Sequence, residues 1–96
     1  MHFAVIRHDK PDRLALRVSE RPRHLIYLET VLDKIVYGGA LLDAEGKQNG
    51  SILIVDVADK AAAEAFANAD PYIDTDLFAS TSIQQFRPVF KAGAWL

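Results

Sequence analysis

Ser51-Ile52-Leu53-Ile54-Val55-Asp56-Val57 reads as a strand with apolar side chains on both of its alternating faces. Successive strand residues point to opposite sides of a sheet, so such a run asks for cover on both sides. Downstream, Asp59 is placed to cap a helix carrying Ala61, Ala62, Ala65, Phe66 and Ala69. The small residues permit close packing on a sheet, and Asp70-Pro71 ends the helix. Upstream, Asp43 to Gly50 holds two turn signals, Glu45-Gly46 and Asn49-Gly50, and predicts an exposed hairpin connection to a strand over Ile35–Leu42. Gly38-Gly39 interrupts that strand and signals either a bulge or an opening that faces a ligand.

Farther out, Phe3 to Arg7 is a short β-rich run that ends at the polar His8-Asp9-Lys10-Pro11. Asp12 to Val18 predicts a short helical segment with Asp12 as its N-cap. Pro22 suits a first helical turn, so the main helix is expected to start between Ser19 and Pro22 and to run to about Lys34. Leu25, Leu28 and Leu32 then form its buried stripe, with Val31 alongside and Tyr27 packing with its hydroxyl in water. Pro71 to Phe78 reads as a turn-rich connection with one short helical turn, and Ser80 to Phe86 as the fourth strand. Pro88 fits a strand end or an edge. Val89 to Leu96 is a tail in which Phe90, Trp95 and Leu96 are candidates to dock on a partner.

The order is strand, helix, strand, strand, helix, strand: a single ferredoxin-like α+β domain, βαββαβ, over residues 1–96. Its four-stranded antiparallel sheet carries both helices on one face. The other face of the doubly apolar third strand then lacks cover, which predicts a homodimer that packs two sheets face to face. A net charge of −2 without a basic stripe argues against a nucleic-acid partner. The absence of cysteine excludes disulfide and thiolate chemistry. No apolar run approaches the roughly eighteen residues of a membrane span, and Met1 to Ile6 lacks the features of a signal segment, so a soluble cytoplasmic protein is expected.

Arg17, Arg21 and His24 are spaced four and three apart and share a face in continuous helix, although Pro22 makes that continuity doubtful. Histidine moves protons near neutral pH once a second group fixes its tautomer. Asp33 lies about half a turn out of phase with His24, which leaves Asp70 as the better partner. Arg17 and Arg21 could hold an anionic oxygen, and Tyr72 could donate a hydroxyl. Each residue also has a structural reading: His24 as a packed helix residue, Asp70 as a turn former with Pro71, and the arginines paired with Glu20 and Asp12. His2, His8 and His24 do not form a metal-binding spacing.

The pattern Asp9-Lys10-x-Asp12-x-Leu14-x-x-Arg17-x-x-x-Arg21-Pro22-x-His24-Leu25, a glycine near Gly39, an alanine-rich helix and Asp70-Pro71-Tyr72 together resemble the YciI-like, or YCII-related, family. The resemblance covers nearly the whole chain and implies a dimeric α+β barrel with a site built on His24 and an aspartate. One related branch of the family acts as a dehydrochlorinase on a chlorinated hydroxyhydroquinone, and the wider barrel superfamily includes muconolactone isomerases. Tyr37-Gly38-Gly39 departs from the family pattern, in which a glycine-proline pair is common.

The leading expectation is a small-molecule lyase or isomerase that needs no cofactor and no metal. His24 and Asp70 are its candidate catalytic pair, and Arg17, Arg21, Gly39 and Tyr72 its candidate contacts to a small, anionic organic ligand. The alternative is a non-catalytic ligand-binding or regulatory module that uses the same cleft.

Overall fold

The computed structural model describes residues 1–96. Strands β1 (His2–Asp9), β2 (Ile35–Leu42), β3 (Gln48–Asp56) and β4 (Phe78–Phe86) form one sheet in the order β2-β3-β1-β4. All three pairings are antiparallel. Helices α1 (Leu14–Thr30) and α2 (Lys60–Asn68) complete the α+β, ferredoxin-like arrangement read from the sequence.

Period-two alternation places Phe3, Val5 and Arg7 of the central strand β1 on the helix-covered face, all buried. Phe3 and Val5 join Val31, Val55, Ala63, Phe66 and Ala67 in the core. Asp59 caps α2 as expected, accepting from the Ala62 amide at 2.8 Å. Pro71–Asp74 forms the expected helical turn, in 3₁₀ geometry, and Tyr72 on it is buried. β1 and β4 run two residues longer at their shared end than the sequence suggests, because His8 and Asp9 gain ladder partners in Ser80 and Phe78.

Pro22 does not divide the N-terminal helix. It lies inside one continuous helix, where its missing N–H deprives the Val18 carbonyl of a partner. Val18 is 61 % exposed and Pro22 is exposed too, so water can serve that carbonyl. Asp12 is not the cap; it adopts the left-handed region, at φ 59°, and Arg13 occupies the cap position without a side-chain bond. The helix stops at Thr30, and Leu32–Lys34 is a separate 3₁₀ turn. Two residues of the expected stripe, Leu25 and Leu32, are consequently exposed, and Tyr27, Leu28 and Val31 make the apolar contact instead. The Tyr27 hydroxyl donates to the Phe66 carbonyl at 2.7 Å rather than to water.

Arg17 is the only fully buried residue of α1. Polar ties to Asp9, Asp70 and the Phe66 carbonyl hold the helix to the domain, and Tyr27 and Leu28 near its C-terminus pack on the core.

Asn49-Gly50 is not a turn. The β2–β3 connection closes at Asp43–Lys47, with Gly46 at φ 80°, and Gly50 sits buried in β3, where a Cβ would collide with the Arg7 carbonyl. The tail folds into a second, two-stranded hairpin of β5 (Phe90–Lys91) and β6 (Ala94–Trp95). Ala92 and Gly93 turn it with positive φ, and the Phe90 and Trp95 rings stand 4.3 Å apart. On the sheet face away from the helices, Ala4, Ile6, Ile52 and Ile54 are only half-buried.

Candidate active site

A cavity of about 270 Å³ opens where α1 crosses the sheet. It exists because the strand opposite the polar side of α1 carries glycines. Gly38 faces Leu53 so closely that a Cβ would strike its side chain and would come within 2.8 Å of the Ile52 carbonyl. Gly39 has no neighbour within 4 Å of a Cβ position. Gly38 pairs with Leu53 on the cavity face, whereas Gly39 pairs with Ile52 and turns its empty Cβ position to the face away from the helices, bordering the cavity through its backbone. The register shifts of β2 fall beside the pair, at Ile35/Tyr37 and Leu41/Leu42.

Continuity of α1 puts Arg17 and His24, seven residues apart, on the cavity face together. The 3₁₀ turn after α2 brings Asp70 to meet them. Its Oδ1 accepts from the Tyr72 amide at 3.0 Å, and its Oδ2 receives His24 Nδ1 at 2.8 Å and stands 3.5 Å from Arg7 Nη1. Both carboxylate oxygens are held, so the side chain has one orientation. Because a carboxylate only accepts, Nδ1 carries a proton, and in the neutral imidazole Nε2 keeps the lone pair. The imidazole stacks on the Tyr72 ring, centroids 4.3 Å apart and 20° from parallel. That fixes its plane.

Arg17 lines the cavity but is already engaged. Its Nε and Nη2 donate to Asp9 Oδ2 and Oδ1, both at 2.7 Å, in a pair that is almost wholly buried. Burial alone would lower the Arg17 pKa, yet the bonds and charge of Asp9 outweigh it and raise the value above the usual one. Arg21 is exposed and does not line the cavity, although its charge reaches the Tyr72 hydroxyl. Tyr72 is buried, with its hydroxyl donated to the Arg17 carbonyl at 3.0 Å. Its single O–H is committed, so the ring rather than the hydroxyl faces the cavity. Burial raises the Tyr72 pKa, followed in effect by the opposing influence of Arg17, and the phenol stays protonated at neutral pH.

Among the residues that received no role from the sequence are Arg7 and Phe78 of the cavity wall and Asp9, which binds Arg17. Arg7 was legible in principle, since alternation with Phe3 and Val5 puts an arginine on the buried face of the central strand. Its Nη2 donates to the Ala67 carbonyl at the end of α2, and its guanidinium carbon lies 4.4 Å from the centre of the Phe78 ring. Burial draws the Arg7 pKa below the usual arginine value, and Asp70 only partly opposes this.

A histidine oriented by a carboxylate at the wall of a small, half-apolar cavity is equipped for proton transfer to or from a small ligand. No three metal-ligating side chains converge anywhere in the chain, and no helix is long and apolar enough to cross a membrane.

Known proteins share this architecture. A structure of 5-chloro-2-hydroxyhydroquinone dehydrochlorinase from Burkholderia phenoliruptrix AC1100, in complex with 2,5-dihydroxybenzoquinone, superposes with a TM-score of 0.85 and 32% identity. The match covers 91% of this chain and 94% of that one. Protein YciI of Escherichia coli O6:H1 is 30% identical over 98 residues, covering 94% of this chain and all of the relative, and an uncharacterised Haemophilus influenzae protein is 26% identical over the same span. An antibiotic biosynthesis monooxygenase-type protein from Bacteroides thetaiotaomicron, at 16% identity and a TM-score of 0.55, shares the fold alone. The YCII-related domain profile matches residues 1–87, which contain every residue of the cavity, and the chain belongs to that family.

Proposed function

We propose that the chain is a lyase or isomerase of dehydrochlorinase type, acting on a small oxygenated ring with His24 as the general acid and base. The observation that carries this reading is the 2.8 Å bond from His24 Nδ1 to Asp70, which leaves Nε2 free beside a cavity of single-ring size. The similarity to a dehydrochlorinase over nearly the whole chain supplies the reaction class.

In an elimination of this kind, Nε2 takes a proton from the ring or its hydroxyl. Because the chlorine sits on an aromatic carbon, one hydroxyl first ketonises, its proton being returned through His24 to the carbon that bears chlorine. A second hydroxyl proton then leaves, its oxygen pair forms a C=O bond, the ring π pair shifts toward the chlorinated carbon, and chloride departs with the pair of the carbon–chlorine bond. Hydrogen chloride is lost overall and no oxidant is consumed. In the isomerase variant the same nitrogen returns the proton elsewhere on the ring. Asp70 holds the tautomer and stabilises the imidazolium, while Tyr72 and Phe78 form the aromatic wall beside the ring. Gly39 borders the substrate through its backbone, Gly38 keeps the cavity side of β2 free of a side chain, and Arg17 orients the wall by locking α1 to β1. Arg21, outside the cavity, acts on an approaching anion through its charge.

The working unit in this proposal is a homodimer in which the uncovered sheet faces pack together. The half-buried Ala4, Ile6, Ile52 and Ile54 support it, since such a face marks an association site.

Chloride release from 5-chloro-2-hydroxyhydroquinone is the test of the chemistry. Wild-type protein should release chloride, and His24→Asn should lose the activity while keeping its assembly. An unchanged rate in His24→Asn removes the histidine from the mechanism. Tight binding of ring compounds without turnover of any would favour a binding module instead. Sedimentation showing only monomer at micromolar concentration would refute the dimer.

A further inference from the structure

The two buried arginines of the cavity differ in how well they are satisfied. Arg17 has a carboxylate that meets its guanidinium on two sides, both at 2.7 Å. Arg7 does not. Of its five N–H groups, those on Nη2 reach the Ala67 carbonyl, Nη1 stands off from Asp70 Oδ2 at 3.5 Å, and Nε is buried with no acceptor at all. Arg7 is 4% exposed, so water does not make up the deficit in bulk fashion. An unpaired buried donor on a charged group is among the costlier features a small domain can carry.

Position gives this deficit a meaning. Asp70 Oδ2 is shared by Arg7 Nη1 and His24 Nδ1, so the cation and the base flank one carboxylate oxygen. Both side chains line the same cavity. The Phe78 ring lies 4.4 Å over the guanidinium, whose N–H groups point outward in its own plane. Nε is enclosed, so Nη1, held by Asp70 only at 3.5 Å, is the donor left for an acceptor in the cavity. The charges around Arg7 are Asp70, Arg17 and, through Arg17, Asp9, with the neutral Tyr27 phenol nearby. Two cations and two anions balance one another. An anion formed inside the cavity preserves that balance when its proton stays on His24.

We propose that Arg7 is the oxyanion anchor of the cavity, holding an ionised ring oxygen, a phenolate or enolate, of the same small ring whose proton His24 handles. The inference rests on the reading of His24 as the proton-transfer group and adds the class of ligand: a single ring that bears an acidic hydroxyl. Of the other candidate anchors, Tyr72 gives its only O–H to the Arg17 carbonyl. Arg17, although its Nη1 is unbonded, has its charge met at 2.7 Å by an Asp9 carboxylate that binds it through two donors, whereas Arg7 stands 3.5 Å from a carboxylate it shares with His24. A preorganised cation in a site shielded from water is the kind of group that stabilises developing negative charge most effectively.

para-Nitrophenol tests this without any turnover, because its neutral and ionised forms absorb at different wavelengths. Wild-type protein should bind it as the phenolate at a pH where the free probe is mostly neutral. Arg7→Met, with its fold checked by circular dichroism, should bind the probe at least about tenfold more weakly and lose the ionised band. Arg7→Lys should keep the ionised band at reduced affinity, since it retains the charge and loses the planar fork.

The proposal is overturned if wild-type protein fails to bind the probe or binds it in the neutral form. It is overturned equally if Arg7→Met keeps both the affinity and the ionised band. Should Arg7→Met fail to fold, the wild-type and Arg7→Lys spectra still decide. Chloride release plays no part in the measurement, so an anchor that works in a protein with no dehydrochlorinase activity is a distinguishable result.

Discussion

Asp70→Asn is the most informative single substitution in this chain, because it is nearly isosteric and acts on three partners at once. The new side chain can keep its oxygen on the Tyr72 amide, where Oδ1 accepts at 3.0 Å, so the 3₁₀ turn should survive. Its nitrogen then replaces Oδ2 and presents donors to His24 Nδ1, at 2.8 Å, and to Arg7 Nη1, at 3.5 Å. A donor facing Nδ1 favours the opposite tautomer, with Nδ1 accepting and Nε2 protonated, which removes the base from the cavity. A wrong-tautomer change of this kind can cost on the order of 10⁴ in turnover. The stability effect follows from Arg7. Side-chain exposures of 5% and 6% make this pair buried, and removing one partner of a buried pair costs about 3 kcal/mol or more. The long 3.5 Å separation argues for the lower end. Nitrogen-detected NMR of His24 reads the tautomer directly, and urea unfolding reads the stability. A variant with an unchanged tautomer and a denaturation midpoint within error of wild type would refute the argument that one oxygen of Asp70 organises both His24 and Arg7.

Four further outcomes are expected. Gly38→Ala should lower stability by about 1–3 kcal/mol in urea melts, since the added methyl meets Leu53 and the Ile52 carbonyl, whereas Gly39→Ala, whose methyl points to the face away from the cavity, should stay within about 0.5 kcal/mol. Tyr27→Phe should cost about 1 kcal/mol through the lost bond to the Phe66 carbonyl, measured by thermal unfolding. Hydrogen bonds from Lys10 and Arg13 hold the Asp76 pKa below the usual carboxylate value. Such a group stabilises the fold above its unfolded-state pKa and loses that effect as pH falls through the folded-state value, so Asp76→Asn should flatten the stability profile below about pH 4. Trp95 is 76% exposed on a hairpin of the kind that is marginal by itself, and Trp95→Ser should weaken the dimer by roughly 2 kcal/mol in sedimentation equilibrium if the tail docks on the second copy.

The order of elements was legible because it rests on strong local signals: a doubly apolar strand, an Asp59 cap and an alanine-rich helix. The pairing of His24 with Asp70 was legible too, by elimination of Asp33 on helical phase and from the family pattern. The interior of α1 was not. Pro22 is a valid stop signal by its own chemistry, and what overrides it is the exposure of the Val18 carbonyl, a property of where the helix lies rather than of its sequence. The buried stripe failed for a related reason. With Arg17, His24 and Leu28 turned toward the sheet, the face that a leucine repeat would select is rotated away, and Leu25 and Leu32 are left in solvent.

Arg17 and Arg21 of α1 show what a helical spacing argument can and cannot reach, since Arg17 lines the cavity and Arg21 does not. Arg17, Arg21 and His24 were grouped by spacing, and spacing says nothing about which charges are already neutralised. Asp9 removes Arg17 from consideration as a free cation, and solvent removes Arg21 from the cavity. The cation that shares a carboxylate with His24 comes from β1, outside the helix altogether, and that carboxylate is supplied by a third element. Such an arrangement depends on contacts sixty residues apart or nearly so, since Arg7 is tied to Ala67 and Asp70. The local clue that does survive in the sequence is chemical rather than periodic. An arginine in phase with Phe3 and Val5 on a central strand must be buried, a buried arginine requires acceptors, and an arginine whose acceptors fall short has capacity left for a ligand.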